Sequence, residues 1–238
     1  MSEKTETPDG GFHASRLSGA ALAWGVASPP RSYWPVRLAI LAAIGLYLLL
    51  PDVVILGPRY LVPALEAAAL ATLSIATPHR TTEQSGLRRF LSTALIALVT
   101  VANLFNLGLL VHGLLAGGTQ ASGRELILAS IAIWVTNVIV FALWYWELDR
   151  GGPPARHDAG HREPDFLFPQ MATPGAGRPA WAPSFVDYLY VSLTNATAFS
   201  PTDTMPLTVA AKILMGVQSL GSLLTVAMVA ARAVNILH

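Results

Sequence analysis

The chain has 238 residues, 53% of them hydrophobic and only 12% charged, and its 15 basic and 14 acidic side chains leave it close to neutral. Soluble domains carry about 25% charged residues, so this composition excludes an ordinary soluble enzyme, and without a basic field the chain is not expected to hold nucleic acid. Cysteine is absent, which removes disulfides, thiolate metal sites and cysteine nucleophiles.

Residues 1–36 mix charges, Gly, Pro and Ser around the short run Ala20-Ala21-Leu22-Ala23-Trp24, and read as a disordered polar tail. No cleavable leader is expected, because the first apolar run of useful length begins only at Leu38. Four membrane helices are expected over 37–147. The first, Leu38 to Leu56, is interrupted by Pro51 and Asp52, which either kink it or end it early. The second, Tyr60 to Ala76, is short and joined to the first by Gly57-Pro58-Arg59. The third, Phe90 to Leu115, would reach about 39 Å at about 1.5 Å per residue, enough to cross a hydrocarbon core of about 30 Å. The fourth, Leu126 to Trp146, ends in Trp144-Tyr145-Trp146, placed as an interfacial aromatic belt.

Polar residues inside these runs are expensive in lipid. Glu66 is therefore an intramembrane acidic candidate for transport or gating, with Arg59 one to two turns away as a potential partner. Asn103, Asn106, His112 and Asn137 read as groups that hydrogen-bond between helices.

Residues 148–183 turn abruptly to Gly, Pro and charge, and are expected to form an extramembrane loop. His157 and His161 have the spacing of metal ligands on one helix face, but Gly160 and the neighbouring prolines oppose a helix, so the stretch reads as solvated loop and no metal site is expected. No Ser-His-Asp, paired-carboxylate or phosphate-loop pattern occurs in a usable context, so neither catalysis nor a cofactor is expected.

Ser184, with Asp187 three residues on and Pro183 before it, marks a helix start. The helix can run to about Ala198, roughly 21 Å and too short to span, before Pro201 and Pro206. A polar turn follows to Pro206, and then an apolar run from Leu207 to Leu237 whose charges are Lys212 and Arg232. The order of short helix, polar turn and long helix is that of a re-entrant loop (184–206) ahead of a last membrane helix (207–238). Irregular backbone at membrane depth must be buried in protein or line water. An amphipathic helix lying on the membrane surface would leave a similar pattern.

The stretch from Ser192 to Thr208 resembles the pore helix and filter of the potassium-channel pore module, which reads roughly S-x-x-T-x-T-T-V-G-Y-G-D-x-x-P-x-T. Ser192, Thr197, Asp203, Pro206 and Thr208 fall on matching positions, Lys212 stands where that family often has a basic residue, and Gly221-Ser222 lies near its inner-helix hinge. Ser200, Pro201 and Thr202 replace the G-Y-G filter, and a proline with fixed φ is a poor substitute for glycines that aim carbonyls at an ion. The resemblance covers about residues 181–237. It implies an all-α polytopic bundle with a re-entrant pore-loop-like helix, a homo-oligomer (a tetramer if the likeness is homology), and weakly selective conduction of monovalent cations instead of potassium selectivity. The site residues it implies are Thr194, Thr197, Ser200, Thr202, Asp203 and Thr204. The alternative is a non-conducting membrane protein that uses the loop for assembly or binding. The last third also resembles bacterial inner-membrane families of unknown function through Phe168-Pro169, Asp187-Tyr188-Leu189-Tyr190 and Thr202-Asp203, which implies the bacterial inner membrane as location.

With five spans and the N-terminus inside, twelve Lys and Arg fall on the cytoplasmic side and Arg59, Arg124 and Arg232 on the other. That arrangement brings the loop in from the cytoplasm, whereas the channel resemblance implies entry from outside. Four spans, with the second segment not crossing, or an inverted pore would each reconcile the two.

Overall fold

The computed structural model describes residues 34–55, 58–76, 86–116, 122–153, 155–157, 163–172, 181–197 and 203–236. The chain is mostly helical. In order it forms α1 (Trp34–Leu48), α2 (Leu61–Ala76), α3 (Gly86–Ala116), α4 (Gly123–Leu148), β1 (Phe166–Leu167), the single turn α5 (Pro169–Ala172), α6 (Phe185–Thr197), β2 (Met205–Pro206) and α7 (Val209–Ile236), with short 3₁₀ turns at Asp52–Val54, Asp149–Gly151 and Ala155–His157.

Among the described residues three helices are long and apolar enough to cross a membrane, over Arg89–Gly113, Gly123–Gly151 and Val209–Ala230. The first two helices are shorter. At 15 and 16 residues they reach only about 22 and 24 Å, below the roughly 30 Å of a hydrocarbon core. α1 ends before Pro51, the early stop that proline and Asp52 allowed. Its last carbonyls, which have no partner inside the helix, are taken up by Arg59, whose guanidinium donates to Leu48 O at 3.0 Å and to Leu50 O. The same guanidinium pairs with the Asp52 carboxylate at 3.0 Å.

α4 is the centre of the bundle: 72% of its apolar stretch is buried, against 39% for α3 and 17% for α7. Its start is set by a capping box in which Ser122 Oγ accepts from Glu125 N–H at 3.3 Å and the Glu125 carboxylate accepts from Ser122 N–H at 2.7 Å. α1, α3, α6 and α7 all pack on α4, and α2 packs on α1 and α3. Being packed on most sides, α4 is apolar nearly all round and carries little amphipathic signal, as a largely buried helix does.

The aromatic residues at the end of α4 face the interior and form no belt. Tyr145 and Trp146 are buried, and Trp144 Nε1 donates to Thr100 Oγ1 on α3 at 2.8 Å. The cause is the chain that follows, which folds back over them. Tyr188 of α6 sits edge-on to Trp146 (5.5 Å), Phe166 (6.3 Å) and Phe168 (5.4 Å). β1 pairs antiparallel with β2, Phe166 opposite Pro206 and Leu167 opposite Met205.

α6 and α7 both start at the C-terminal end of α4 and run back along it. Phe185, the first residue of α6, lies edge-on to Trp146 at 6.1 Å, and Ser192 Oγ donates to Val138 O at 2.6 Å, near the middle of α4. α7 starts again from the end where α6 began, because Leu207 N–H bonds Asp165 O at 2.8 Å and Asp165 is itself bonded to the end of α4. Its Gln218 and Ser222 then meet Tyr145 and Asn137 in descending order along α4.

Candidate functional site

Three groups of polar side chains sit inside this fold. The first closes the end of α4. Arg150, at φ 55°, adopts the left-handed conformation uncommon for a residue with a Cβ, and Gly151 and Gly152 continue at φ 80° and 96°. The chain thereby turns back so that Asp149 is fully enclosed. The Asp149 carboxylate accepts from Asp165 N–H at 2.9 Å, Tyr188 Oη at 2.5 Å and Arg150 Nε at 3.2 Å. Asp165 reciprocates, accepting from Arg150 N–H at 2.8 Å and from Thr208 Oγ1 at 2.7 Å. Thr208 in turn accepts from Ala211 N–H at 3.3 Å, as an N-cap of α7 does. Arg156 lies 4.4 Å over the Trp146 ring and donates to the carbonyls of Trp146 and Asp149 at 2.8 and 2.9 Å, satisfying the open end of α4. This is a structural clamp: it ties α4, β1, α6 and the start of α7 together.

The second group joins α4, α6 and α7. Tyr145 Oη donates to Gln218 Oε1 at 2.5 Å, and Gln218 Nε2 donates to Ser192 O and Oγ at 2.9 and 2.6 Å. Asn195 Nδ2 donates to Gln218 Oε1 at 2.8 Å and Met215 O at 2.9 Å, and Asn195 Oδ1 accepts from Ser219 Oγ at 3.0 Å. Asn137 Nδ2 donates to Ser222 Oγ at 2.8 Å. Hydrogen bonds between helices hold such bundles where lipid offers no hydrophobic drive for helices to associate.

The third group surrounds Glu66. Its side chain is 1% exposed, and among the described residues neither carboxylate oxygen has a hydrogen-bond partner. It borders a cavity of about 10 Å³, the space one water occupies, together with Tyr47 of α1, Asn103 and Asn106 of α3 and Thr136 of α4. The expected partner Arg59 is engaged with Asp52 and the end of α1 instead.

The residues read from the sequence fall unevenly on this structure. Thr194 is half-buried and donates to the carbonyls of Tyr190 and Val191, and Thr197 is exposed and donates to Thr194 O at 2.8 Å, so both hydroxyls turn back on their own helix. Ser200 and Thr202 lie outside the described residues, Asp203 is exposed and Thr204 is buried. Asn137 makes the interhelical bond expected of it, Asn103 and Asn106 line the Glu66 cavity, and His112 is exposed. Of the histidine pair, His161 lies outside the described residues.

Sequence reasoning passed over Asp149, Arg150, Arg156 and Asp165, because charges among Gly and Pro look like a solvated loop. Two signals pointed to them: the Arg-Gly-Gly following α4, which suits a left-handed helix stop, and Tyr188, whose hydroxyl needs a partner on the buried face of α6. No protein-family model matches the chain, and no curated protein or solved structure matches it either.

Proposed function

We propose that this is an integral membrane protein of the bacterial inner membrane that conducts monovalent cations with weak selectivity, through an oligomeric pore formed by α6, the segment 198–206 and α7. The observation that carries the reading is the course of the chain: α6 follows α4 only to about its midpoint, and α7 starts again from the end at which α6 entered. A helix of 13 residues, about 20 Å long, directs its C-terminal dipole end toward mid-depth of a spanning α4, where a negative partial charge favours a cation. The side chains of the 198–206 segment, with Ser200, Pro201 and Thr202 in place of G-Y-G, suit hydroxyl and carboxylate lining more than a carbonyl filter. No cofactor enters this reading, and the pore needs several copies, four if the channel resemblance reflects descent.

One observation favours the second reading, a non-conducting membrane protein that keeps the loop for assembly or binding. The hydroxyls of Thr194 and Thr197 and the side chains of Asn195 and Gln218 find their partners within a single chain. Purified protein in planar bilayers separates the two. Conduction is expected to appear as discrete steps whose reversal potential follows the monovalent cation gradient, with little difference between sodium and potassium. Silence across voltage and pH in protein shown to be inserted and folded removes the channel and leaves the module.

A further inference from the structure

We propose that Glu66, with Tyr47, Asn103, Asn106 and Thr136, forms a binding site for one sodium-sized monovalent cation, held in competition with a proton. The site lies apart from α6 and does not depend on conduction. Thr136 and Asn137 are neighbours at the middle of α4, and Thr136 borders this cavity while Asn137 bonds to α7. The pocket and the end of α6 therefore flank the same level of the central helix on different sides.

An enclosed carboxylate with no hydrogen-bond donor is untenable as a bare charge. Among the described residues Glu66 has neither a hydrogen bond nor an ion pair. The polar residues that line the cavity with it are Tyr47 from α1, Asn103 and Asn106 from α3, and Thr136 from α4. Tyr47 is the only titratable one among them, and none carries a fixed charge. The carboxyl must then take up a proton or a mobile cation.

The donor set favours an alkali ion. The two carboxylate oxygens, the amide carbonyl oxygens and the hydroxyls are hard oxygen ligands. One carboxylate balances one positive charge, so a monovalent ion leaves the pocket neutral, whereas a divalent ion would leave a net charge in apolar surroundings formed by Ala43, Leu50 and Val99. The cavity has room for about one water-sized particle, which admits a small alkali ion such as sodium and is too small for caesium.

The test uses the full chain in lipid vesicles and the apolar reagent dicyclohexylcarbodiimide, which adds to a protonated carboxyl and not to one that coordinates a metal ion. Mass spectrometry of the peptide containing Glu66 reads the labelling rate. At constant ionic strength and pH, replacing choline by sodium is expected to slow labelling several-fold, caesium to protect much less, and protection to fade as pH falls. Labelling that ignores sodium, or protection by caesium equal to that by sodium, overturns the proposal and leaves Glu66 a protonated core residue. As a second readout, sodium should raise the unfolding temperature of the wild type but not of Glu66→Gln. If that variant does not assemble, sodium protection of the wild type decides alone. Sodium protection in a protein that is silent in planar bilayers would sustain this site while removing the channel.

Discussion

The clamp at the end of α4 makes the sharpest stability prediction. Asp149→Ala removes an enclosed carboxylate that accepts from Tyr188, Arg150 and the Asp165 amide. It leaves the guanidinium groups of Arg150 and Arg156, whose side chains are 3% and 4% exposed, without the carboxylate they face. Removing one partner of a buried ion pair costs about 3–5 kcal/mol, most of it from the stranded opposite charge, and Asp149→Ala should lie in that range. Asp149→Asn keeps the shape and one accepting oxygen, but it sets an amide N–H₂ where Tyr188 and Arg150 both donate, so about 2–3 kcal/mol is expected. Tyr188→Phe removes one donor and leaves the carboxylate its other bonds, which predicts about 1 kcal/mol. Equilibrium unfolding in mixed micelles, followed by tryptophan fluorescence, measures all three. The reasoning fails if Asp149→Ala stays within about 1 kcal/mol of the wild type, or if Tyr188→Phe costs more than it does.

Three further substitutions test neighbouring parts of the fold by the same unfolding assay. Asp187 accepts from both the N–H and the hydroxyl of Ser184 at 2.6 Å, so Ser184→Ala should cost about 0.5–1 kcal/mol and Asp187→Ala more, both as a loss of order at the start of α6. Gly152→Ala places a Cβ 3.1 Å from Glu147 O at a φ of 96°, and a loss of about 1–2 kcal/mol is expected; a neutral result would mean that the turn relaxes freely. Gln218→Leu strands Tyr145, Ser192 and Asn195 at once, which predicts about 1–3 kcal/mol and faster proteolysis of α6, since each interhelical bond in a membrane is worth about 0.6 kcal/mol on average.

The long helices were legible because their signal is one-dimensional: an uninterrupted apolar run longer than the bilayer has few other uses, and α3, α4 and α7 appear where those runs lie. The start of α6 was legible for a related reason, since a cap is a contact between residues three apart. Leu38–Leu56 carried two outcomes, kink or stop, and the stop prevails because Arg59 returns to satisfy the carbonyls that Pro51 leaves open. The clamp was not legible. Asp149 meets Asp165 sixteen residues on and Tyr188 thirty-nine residues on, and nothing in local composition separates a charge that will be enclosed from one that will be solvated. Trp144-Tyr145-Trp146 misled for the same cause: aromatic residues at the end of an apolar helix suit an interface or a core, and only the returning chain decides. Glu66 stood out in the sequence as a costly charge, but its isolation follows from a contact that Arg59 makes elsewhere.

Asp203 puts the conduction reading to its most direct test. It is exposed, two residues before the β2 strand that Leu167 pairs with, and so lies near the end of the bundle where α6 and α7 both begin. In an oligomer its copies would form a ring of carboxylates at the pore mouth, raising the local cation concentration as acidic rings do in cation pores. Asp203→Asn keeps a turn-forming oxygen and removes the charge. The Debye length is about 30 Å at 0.01 M salt and about 3 Å at 1 M, so a mouth charge acts across a pore entrance only in dilute salt. Single-channel current of Asp203→Asn should therefore fall below the wild type at 0.01 M and converge with it by 1 M. Equal currents at both concentrations would make Asp203 a turn residue with no part in attracting ions. Loss of the oligomer on cross-linking, with the current per remaining channel unchanged, would make it a brace for the segment that joins α6 to α7.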